Sequence, residues 1–346
     1  MSSDFPDAVL AAVPLPMLFV GPDDRVGAMN DRARTLFGAA GVGRNYITVL
    51  RQPALLDCVE ETLRLRQQCR IRYLTTDLGR EAAYEVTASP VEGDYGSGAL
   101  VCFEDVTDRE QAGQIRRDFV ANVSHELKTP LTALLGFIET LRGPARDDPQ
   151  ARARFLDIMA HEAERMNRLV SDLLSLSRVE SEERMRPATR IDAVALVNSC
   201  VRTLTPMART AGVDLAVTGR EAPVMVLGDA DQLTQVFTNL IENGIKYGGS
   251  GGEVTVDTAL TERELAFRGP GLTVSVIDRG EGFDPVHIPR LTERFYRVDS
   301  HRSREMGGTG LGLAIVKHIV NRHRGRFRIE SRPGQGSRFS VMLPVA

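Results

Sequence analysis

Residues 119–137 read FVANVSHELKTPLTALLGF, and the place of one histidine in this stretch decides how the rest of the chain is read. Phe119, Val123, Leu127, Leu134, Ile138 and Leu141 recur at steps of 4, 4, 7, 4 and 3, the spacing of one helical face. At about 100° per residue, His125 lies about 200° from both Val123 and Leu127 and points away from that stripe. Thr129, four residues on, sits only about 40° from it around the helix, and Glu126 is its neighbour in sequence. An exposed imidazole is a competent nucleophile, and a carboxylate beside it can orient the ring or take its proton. Pro130 inside the helix costs about 3 kcal/mol and frees the carbonyl of residue 126. The plain alternative is a histidine on a solvated helix face.

Outward from this helix, GPARDDP (residues 143–149) supplies a break. Asp148 is placed to cap a second helix and Pro149 to take its first position. Met159, Met166, Leu169, Leu173 and Leu176 then recur at steps of 7, 3, 4 and 3, so the two helices form an αα-hairpin. Each stripe has a single partner helix in such a hairpin, and pairing two hairpins into a four-helix bundle would bury both. A homodimer is expected, with Leu173 facing its seam.

The flanks differ in character. Before residue 108, LFVGPDDRVGAMN has the pattern of a hairpin, LLDCVEETLRLRQ is helically periodic, and IRYLTTDLG, AAYEVTASPVE and GALVCFEDV read as strands separated by Gly, Asp and Pro turns. After residue 190, strands and helices alternate and glycine loops gather at their junctions. The expected architecture is multidomain α+β: an antiparallel sheet with helices over 1–108, a helical hairpin over 109–183, and an α/β sandwich over 190–346, with a hinge near 183–190.

The 346 residues are 42% hydrophobic and 26% charged, with a net charge of −3. That suits two or three globular domains and gives no basic field for nucleic acid. Cys58, Cys69, Cys102 and Cys200 lack CxxC spacing and read as reduced thiols, neither metal ligands nor disulfides. The apolar run at residues 8–20 is 13 residues long and is broken by Pro14 and Pro16, short of the roughly 20 that span a bilayer. Asp4 and Asp7 argue against a signal peptide. No transmembrane segment and a cytoplasmic location are expected, with any membrane association through a partner.

Three stretches of the C-terminal third carry chemistry. NLIENGIKYG (239–248) sets Asn239, Asn243 and Lys246 three or four residues apart on one helix; amide oxygens suit Mg²⁺ and lysine suits a phosphate. DRGEGF (278–283) follows a strand, so that Asp278 can accept a hydrogen bond from an exocyclic amine beside room opened by Gly280 and Gly282. GGTGLG (307–312) runs into a helix, where backbone N–H groups and glycines favour phosphate. It is neither a GxxxxGK[ST] loop nor a dinucleotide fingerprint. Polar helix faces and ordinary turns are the alternatives for each.

FVANVSHELKTPLT resembles the H-box of bacterial sensor histidine kinases, and the stretches above, together with RLTERFYR (290–297), resemble the N, G1, F and G2 boxes of their ATP-binding domain, which is of the gyrase/Hsp90/histidine-kinase type. PGQGSRF is similar to the last glycine box, and the resemblance covers roughly residues 113–345. It implies that His125 is autophosphorylated from ATP, that Glu126 assists proton removal, and that Thr129 places water when a partner's phosphate is hydrolysed. It further implies that Asn243 binds Mg²⁺ and Asn239 supports the metal and phosphate site. Lys246 would meet the phosphates and Tyr247 would lie near the adenine, whose amine Asp278 would recognise. Gly280 and Gly282 would shape that pocket, and Gly308, Thr309, Gly310, Leu311 and Gly312 would belong to the lid. GPDDRVGAMNDRARTLFG resembles the opening of a PAS domain, and FEDVTDRE resembles its exit into a signalling helix. The layout is similar to the PhoR-like phosphate-regulon sensor subgroup without its usual anchor. The partner so implied is the receiver domain of a response regulator, which the kinase phosphorylates on aspartate and also dephosphorylates.

Three positions depart from the pattern: Arg279 where Asn is usual, Thr292 where the F-box has Phe, and Gly244 where Ala is common, a cost of up to about 1 kcal/mol in a helix. A gyrase- or Hsp90-like ATPase is the rival enzyme reading. It would need a general-base Glu where this chain has Asn239, and an amide is no base. A non-catalytic scaffold would leave His125, Asn243 and Asp278 without a purpose.

Overall fold

A computed structural model describes residues 10–77, 80–93, 96–182, 185–265, 267–299 and 308–346. Asp4, Asp7, the start of the 8–20 run, Gly307 and the first residues of the 183–190 hinge lie outside that set. The chain divides into two compact units, 1–121 and 122–346.

The first unit is a five-stranded antiparallel sheet of order β2-β1-β5-β4-β3. Its strands are β1 Met17–Val20, β2 Val26–Met29, β3 Cys69–Asp77, β4 Arg80–Gly93 and β5 Gly96–Asp105. Helices α1 Asp31–Phe37, α2 Tyr46–Leu50 and α3 Pro53–Leu65 fill the connection between β2 and β3. The GPDD turn closes the first hairpin through Gly21 N–H to Arg25 O at 2.8 Å, as its sequence predicts. Ala99, Val101 and Phe103 alternate inward along β5, the period of two that a half-buried strand requires, and Val101 and Phe103 share a core with Leu18, Val20, Leu55 and Val59.

The reading of all four cysteines as reduced thiols is corrected here. Cys58 and Cys69 are joined as a disulfide, with their Cα atoms 5.6 Å apart, while Cys102 and Cys200 are free. Cys58 faces the core from α3. The short turn after that helix returns the chain so that Cys69, first residue of β3, meets it. The relevant spacing is set by this return and not by sequence proximity, so a CxxC search misses it.

Helix α4, Thr107–Arg142, begins where the Asp105 carboxylate accepts the Thr107 N–H at 2.9 Å. It runs unbroken through Pro130. Helix α5 spans Pro149–Glu182, and Asp148 Oδ1 caps it by accepting the Gln150 and Ala151 N–H groups, each at 3.0 Å. The two helices are antiparallel: Phe137 stacks on Phe155 at 5.3 Å between centroids, and Glu126 meets Arg165. Leu169, Leu176 and Val179 are buried. The stripe is not covered as its periodicity suggests, because one hairpin has too few neighbours. Ile138 stays 38% exposed, and the most exposed leucine of α5 is Leu174 at 69%. Leu173, expected at the seam, is half-buried.

The C-terminal part is a five-stranded sheet of order β11-β12-β10-β9-β7 with a two-stranded β6-β8 pair. The strands are β6 Arg190–Asp192, β7 Asp214–Gly219, β8 Met225–Leu227, β9 Glu253–Glu264, β10 Gly269–Asp278, β11 Arg326–Ser331 and β12 Ser337–Pro344. Pairing is antiparallel except between β7 and β9. Helices α6 Ala193–Thr210, α7 Ala230–Gly248 and α8 Gly312–Arg322 layer against it. Leu233, Val236, Phe237, Leu240 and Ile241 of α7 are buried, so its opposite face is left for polar side chains. Among the described residues no helix is long and apolar enough to cross a membrane.

Candidate functional site

His125 is exposed on α4, the side its phase about the helix predicts. Thr129 is exposed too, and its hydroxyl donates to the His125 carbonyl at 3.1 Å. Glu126 is engaged elsewhere. Arg165 Nη2 of α5 donates to its Oε2 at 2.7 Å, and Arg297 Nη1 and Nη2 lie 3.4 and 3.3 Å from Oε1 and Oε2. Both guanidiniums are buried, with side chains 10% and 6% exposed. Arg165 and Arg297 carry no periodic or motif signal that names them as partners of Glu126, since the contact is made only in the folded chain.

The other predicted residues lie along α7, at and after the end of β10, and in the loop before α8. Asp278 closes β10 and is buried; its Oδ1 accepts the Gly280 N–H at 3.0 Å. Burial raises its carboxyl above the usual carboxylate range, against the lowering pull of bonds from Gly280 and Ser337. A Cβ on Gly248, the last residue of α7, would stand 2.2 Å from Asp278 Cβ, so the helix end and the strand end touch. A Cβ on Gly280 would meet the same helix end, 2.7 Å from Gly248 Cα. Gly282 adopts φ +61°, and a Cβ there would meet the Arg332 carbonyl at 2.1 Å. These glycines hold a narrow cradle around one carboxylate.

On α7, Lys246 pairs with Glu242 at 2.7 Å, and Asn239 Nδ2 donates to the Gly312 carbonyl at 3.4 Å. That bond joins the polar face carrying Asn239, Asn243 and Lys246 to the start of α8. Tyr247, at the end of α7, is partly exposed. Gly308 and Thr309 open the described part of the lid loop, Gly310 takes φ +73°, and Leu311 is fully buried. Phe295 N–H donates to Gly310 O at 2.8 Å, tying the RLTERFYR segment to the lid. Thr309 Oγ1 donates to Asp172 Oδ2 of α5 at 2.7 Å. Further down α5, Glu180 takes an ion pair from Arg294 and lies 3.5 Å from His318 Nε2, while Glu182 pairs with Arg322 at 3.1 Å.

The three departures sit in different surroundings. Gly244 lies where a Cβ would come within 3.1 Å of Val254 and 3.3 Å of Val276, so the helix approaches the sheet closely there. Arg279 is exposed and pairs with Glu253 at 3.3 Å. Thr292 is half-buried. Sequence reasoning passed over His323, which is buried. Its Nε2 accepts the Asp229 N–H at 3.0 Å, so Nδ1 carries the proton that it donates to the Ile319 carbonyl at 2.7 Å. Burial lowers its pKa, which favours this neutral link between α8 and the start of α7.

Residues 115–182 match the His Kinase A (phospho-acceptor) domain, and residues 228–346 match the histidine kinase-, DNA gyrase B- and HSP90-like ATPase family. A sensor protein kinase WalK of Staphylococcus aureus is 34% identical over 327 residues, covering 92% of this chain and 76% of the relative. The chain belongs to the sensor histidine kinase family. The phosphate regulon sensor protein PhoR of Pseudomonas aeruginosa is 43% identical over 248 residues, 71% of this kinase-family chain and 54% of that relative. The chain thus spans about half the length of the first curated relatives it matches. In fold, it is similar to the histidine kinase ThkA crystallised with the response regulator protein TrrA, with a TM-score of 0.54 at 20% identity over 98% of both chains.

Proposed function

We propose that this chain is an ATP-dependent protein-histidine kinase of two-component signalling that phosphorylates itself on His125 and passes the phosphoryl group to an aspartate of a response regulator. The observation that carries the reading is the pairing of an exposed His125 on the hairpin with a carboxylate cradle at Asp278 in the same compact unit. In the first step an imidazole nitrogen forms a bond to the γ-phosphorus of ATP and the bond to the ADP oxygen breaks. The ring proton passes to Glu126. The phosphoryl group then moves to the regulator's aspartate. Catalysis in such transfers is mostly positioning and charge stabilisation.

Asp278 accepts the adenine amine, Gly280 and Gly282 admit the flat base, and Tyr247 lies beside it. Lys246 meets the phosphates, and the lid formed by Gly308, Thr309, Gly310, Leu311 and Gly312 closes over them. Mg²⁺ would be held by the amide oxygens of Asn243 and Asn239 and would neutralise phosphate charge. With Asn239 Nδ2 engaged on Gly312, the amide atom left to a cation is the oxygen, the donor type Mg²⁺ takes. Thr129 is assigned to orienting water in the dephosphorylation of the regulator.

We further assign residues 1–108 to a PAS-like sensor module, 109–183 to dimerisation and phosphotransfer, and 190–346 to ATP binding. The five-stranded antiparallel sheet with its helices supports the first assignment, and the matched ranges support the others. The exposed apolar positions of the hairpin support a homodimer. A cytoplasmic location follows from the need for ATP and a regulator, and the likeness to PhoR supports a phosphate-responsive role.

Incubation with Mg-ATP tests the reading. An acid-labile, base-stable phosphate is expected on His125, and His125→Gln abolishes it while retaining nucleotide binding. Labelling that persists in the variant overturns the assignment. Thr129→Ala is expected to leave autophosphorylation largely intact and to weaken regulator dephosphorylation.

A further inference from the structure

The phosphotransfer reading leaves Arg165 without a role. Its cationic side chain is buried on α5, beside Met166 of the apolar stripe, where an uncharged residue would pack at less cost. Burying a charge carries a penalty of several kcal/mol that only good partners offset. Its partners are Glu126 at 2.7 Å and Glu162 at 3.5 Å.

We propose that Arg165 is a positioning residue for autophosphorylation, acting through Glu126 to set how that carboxylate is presented to His125. Among the described residues, Glu126 is held by two cations of different origin. Arg297 comes from the loop after β10, so its grip depends on the ATP-binding part lying against the hairpin. Arg165 comes from the partner helix of the same hairpin, so its grip survives when that part moves. With both attached, the two oxygens of Glu126 are committed to guanidiniums. Turning toward the neighbouring imidazole therefore requires Arg297 to let go, while Arg165 keeps the carboxylate tethered.

A second observation fits a tether that tolerates this turn. Arg165 Nε and Arg297 Nε are both buried with no hydrogen-bond partner among the described residues. Arginine carries five donors in a rigid fork, and the spare Nε gives Arg165 a second edge on which to follow Glu126 as it rotates.

This inference rests on His125 being the phosphorylated residue. Its test is single-turnover autophosphorylation of the full chain across ATP concentrations, for the unmodified protein, Arg165→Gln, Arg165→Lys, Glu126→Gln and the Arg165→Gln/Glu126→Gln double variant. The rate constant at saturating ATP is expected to fall at least about tenfold in Arg165→Gln, part of the roughly 10²–10⁴-fold that a positioned base contributes. The KM for ATP stays unchanged, and Arg165→Lys recovers part of the loss. In the Glu126→Gln background, removing Arg165 costs nothing further, because the residue it positions is already gone. An undiminished rate, an equal fractional loss in both backgrounds, or unfolding of both Arg165 variants overturns the proposal. Failure of the unmodified protein to label His125 would instead reject the kinase reading itself.

Discussion

Thr309 of the lid loop donates its hydroxyl to Asp172 of α5 at 2.7 Å, so the loop assigned to cover the nucleotide is fastened to the helix that packs beside the phospho-acceptor helix. Burial chiefly raises the Asp172 carboxyl above its ordinary value of 3.8, with Glu242 adding to the rise and the Thr309 bond, Arg168 and Lys246 opposing it. The folded state therefore holds this proton more tightly than the unfolded chain. The stability so contributed is complete below the unfolded value and is lost as pH rises through the folded one. Asp172→Asn, neutral at every pH, should remove this component. Thermal unfolding from pH 3.8 to neutrality should show the unmodified protein losing stability relative to the variant as pH rises; parallel profiles would contradict it.

Asp278→Asn keeps an oxygen for the Gly280 N–H but loses the charged acceptor for an amine. A hydrogen bond to a charged group is worth about 1.5–3 kcal/mol, so nucleotide affinity should fall roughly 10- to 100-fold. Titration with a fluorescent nucleotide measures this, and the unfolding midpoint should move little.

The two α7 glycines make opposite demands on intuition. Helix propensity alone would make Gly244→Ala stabilising by up to about 1 kcal/mol. The added methyl would press on Val254 and Val276, both core strand residues, so denaturant unfolding should show no gain. Gly248→Ala would drive a Cβ into Asp278, and overpacking of this kind costs about 1–3 kcal/mol together with nucleotide binding.

Leu174→Glu should convert a dimer to a monomer in sedimentation and leave the unfolding midpoint of that monomer nearly unchanged, because the side chain is largely exposed within one hairpin. Leu176→Ala, at a fully buried position, should instead cost about 2–5 kcal/mol. A Leu174→Glu protein that remains dimeric would place the interface elsewhere.

Much of this molecule is determined locally. The outward phase of His125, the Asp148 cap with Pro149 behind it, the GPDD hairpin and the glycine loops beside Asp278 follow from helical or strand period and from turn chemistry. Each acts over a few residues, so the linear order of the chain already contains it. The folded chain brings Asn239 against Gly312 and sets Gly280 on the Asp278 carboxylate.

Tertiary structure decided what depends on residues brought together from afar. Glu126 meets Arg165, 39 residues on, and Arg297, 171 residues on, and no periodicity encodes either pairing. Cys58 and Cys69 meet because α3 and β3 turn back on each other. His323 is a buried neutral link because its two ring nitrogens find Ile319 and Asp229, and Gly244 is needed because a helix lies close to two valines. Ion pairs, disulfides and close packing are settled by distance in space, which the amino-acid order constrains only once the whole chain has folded.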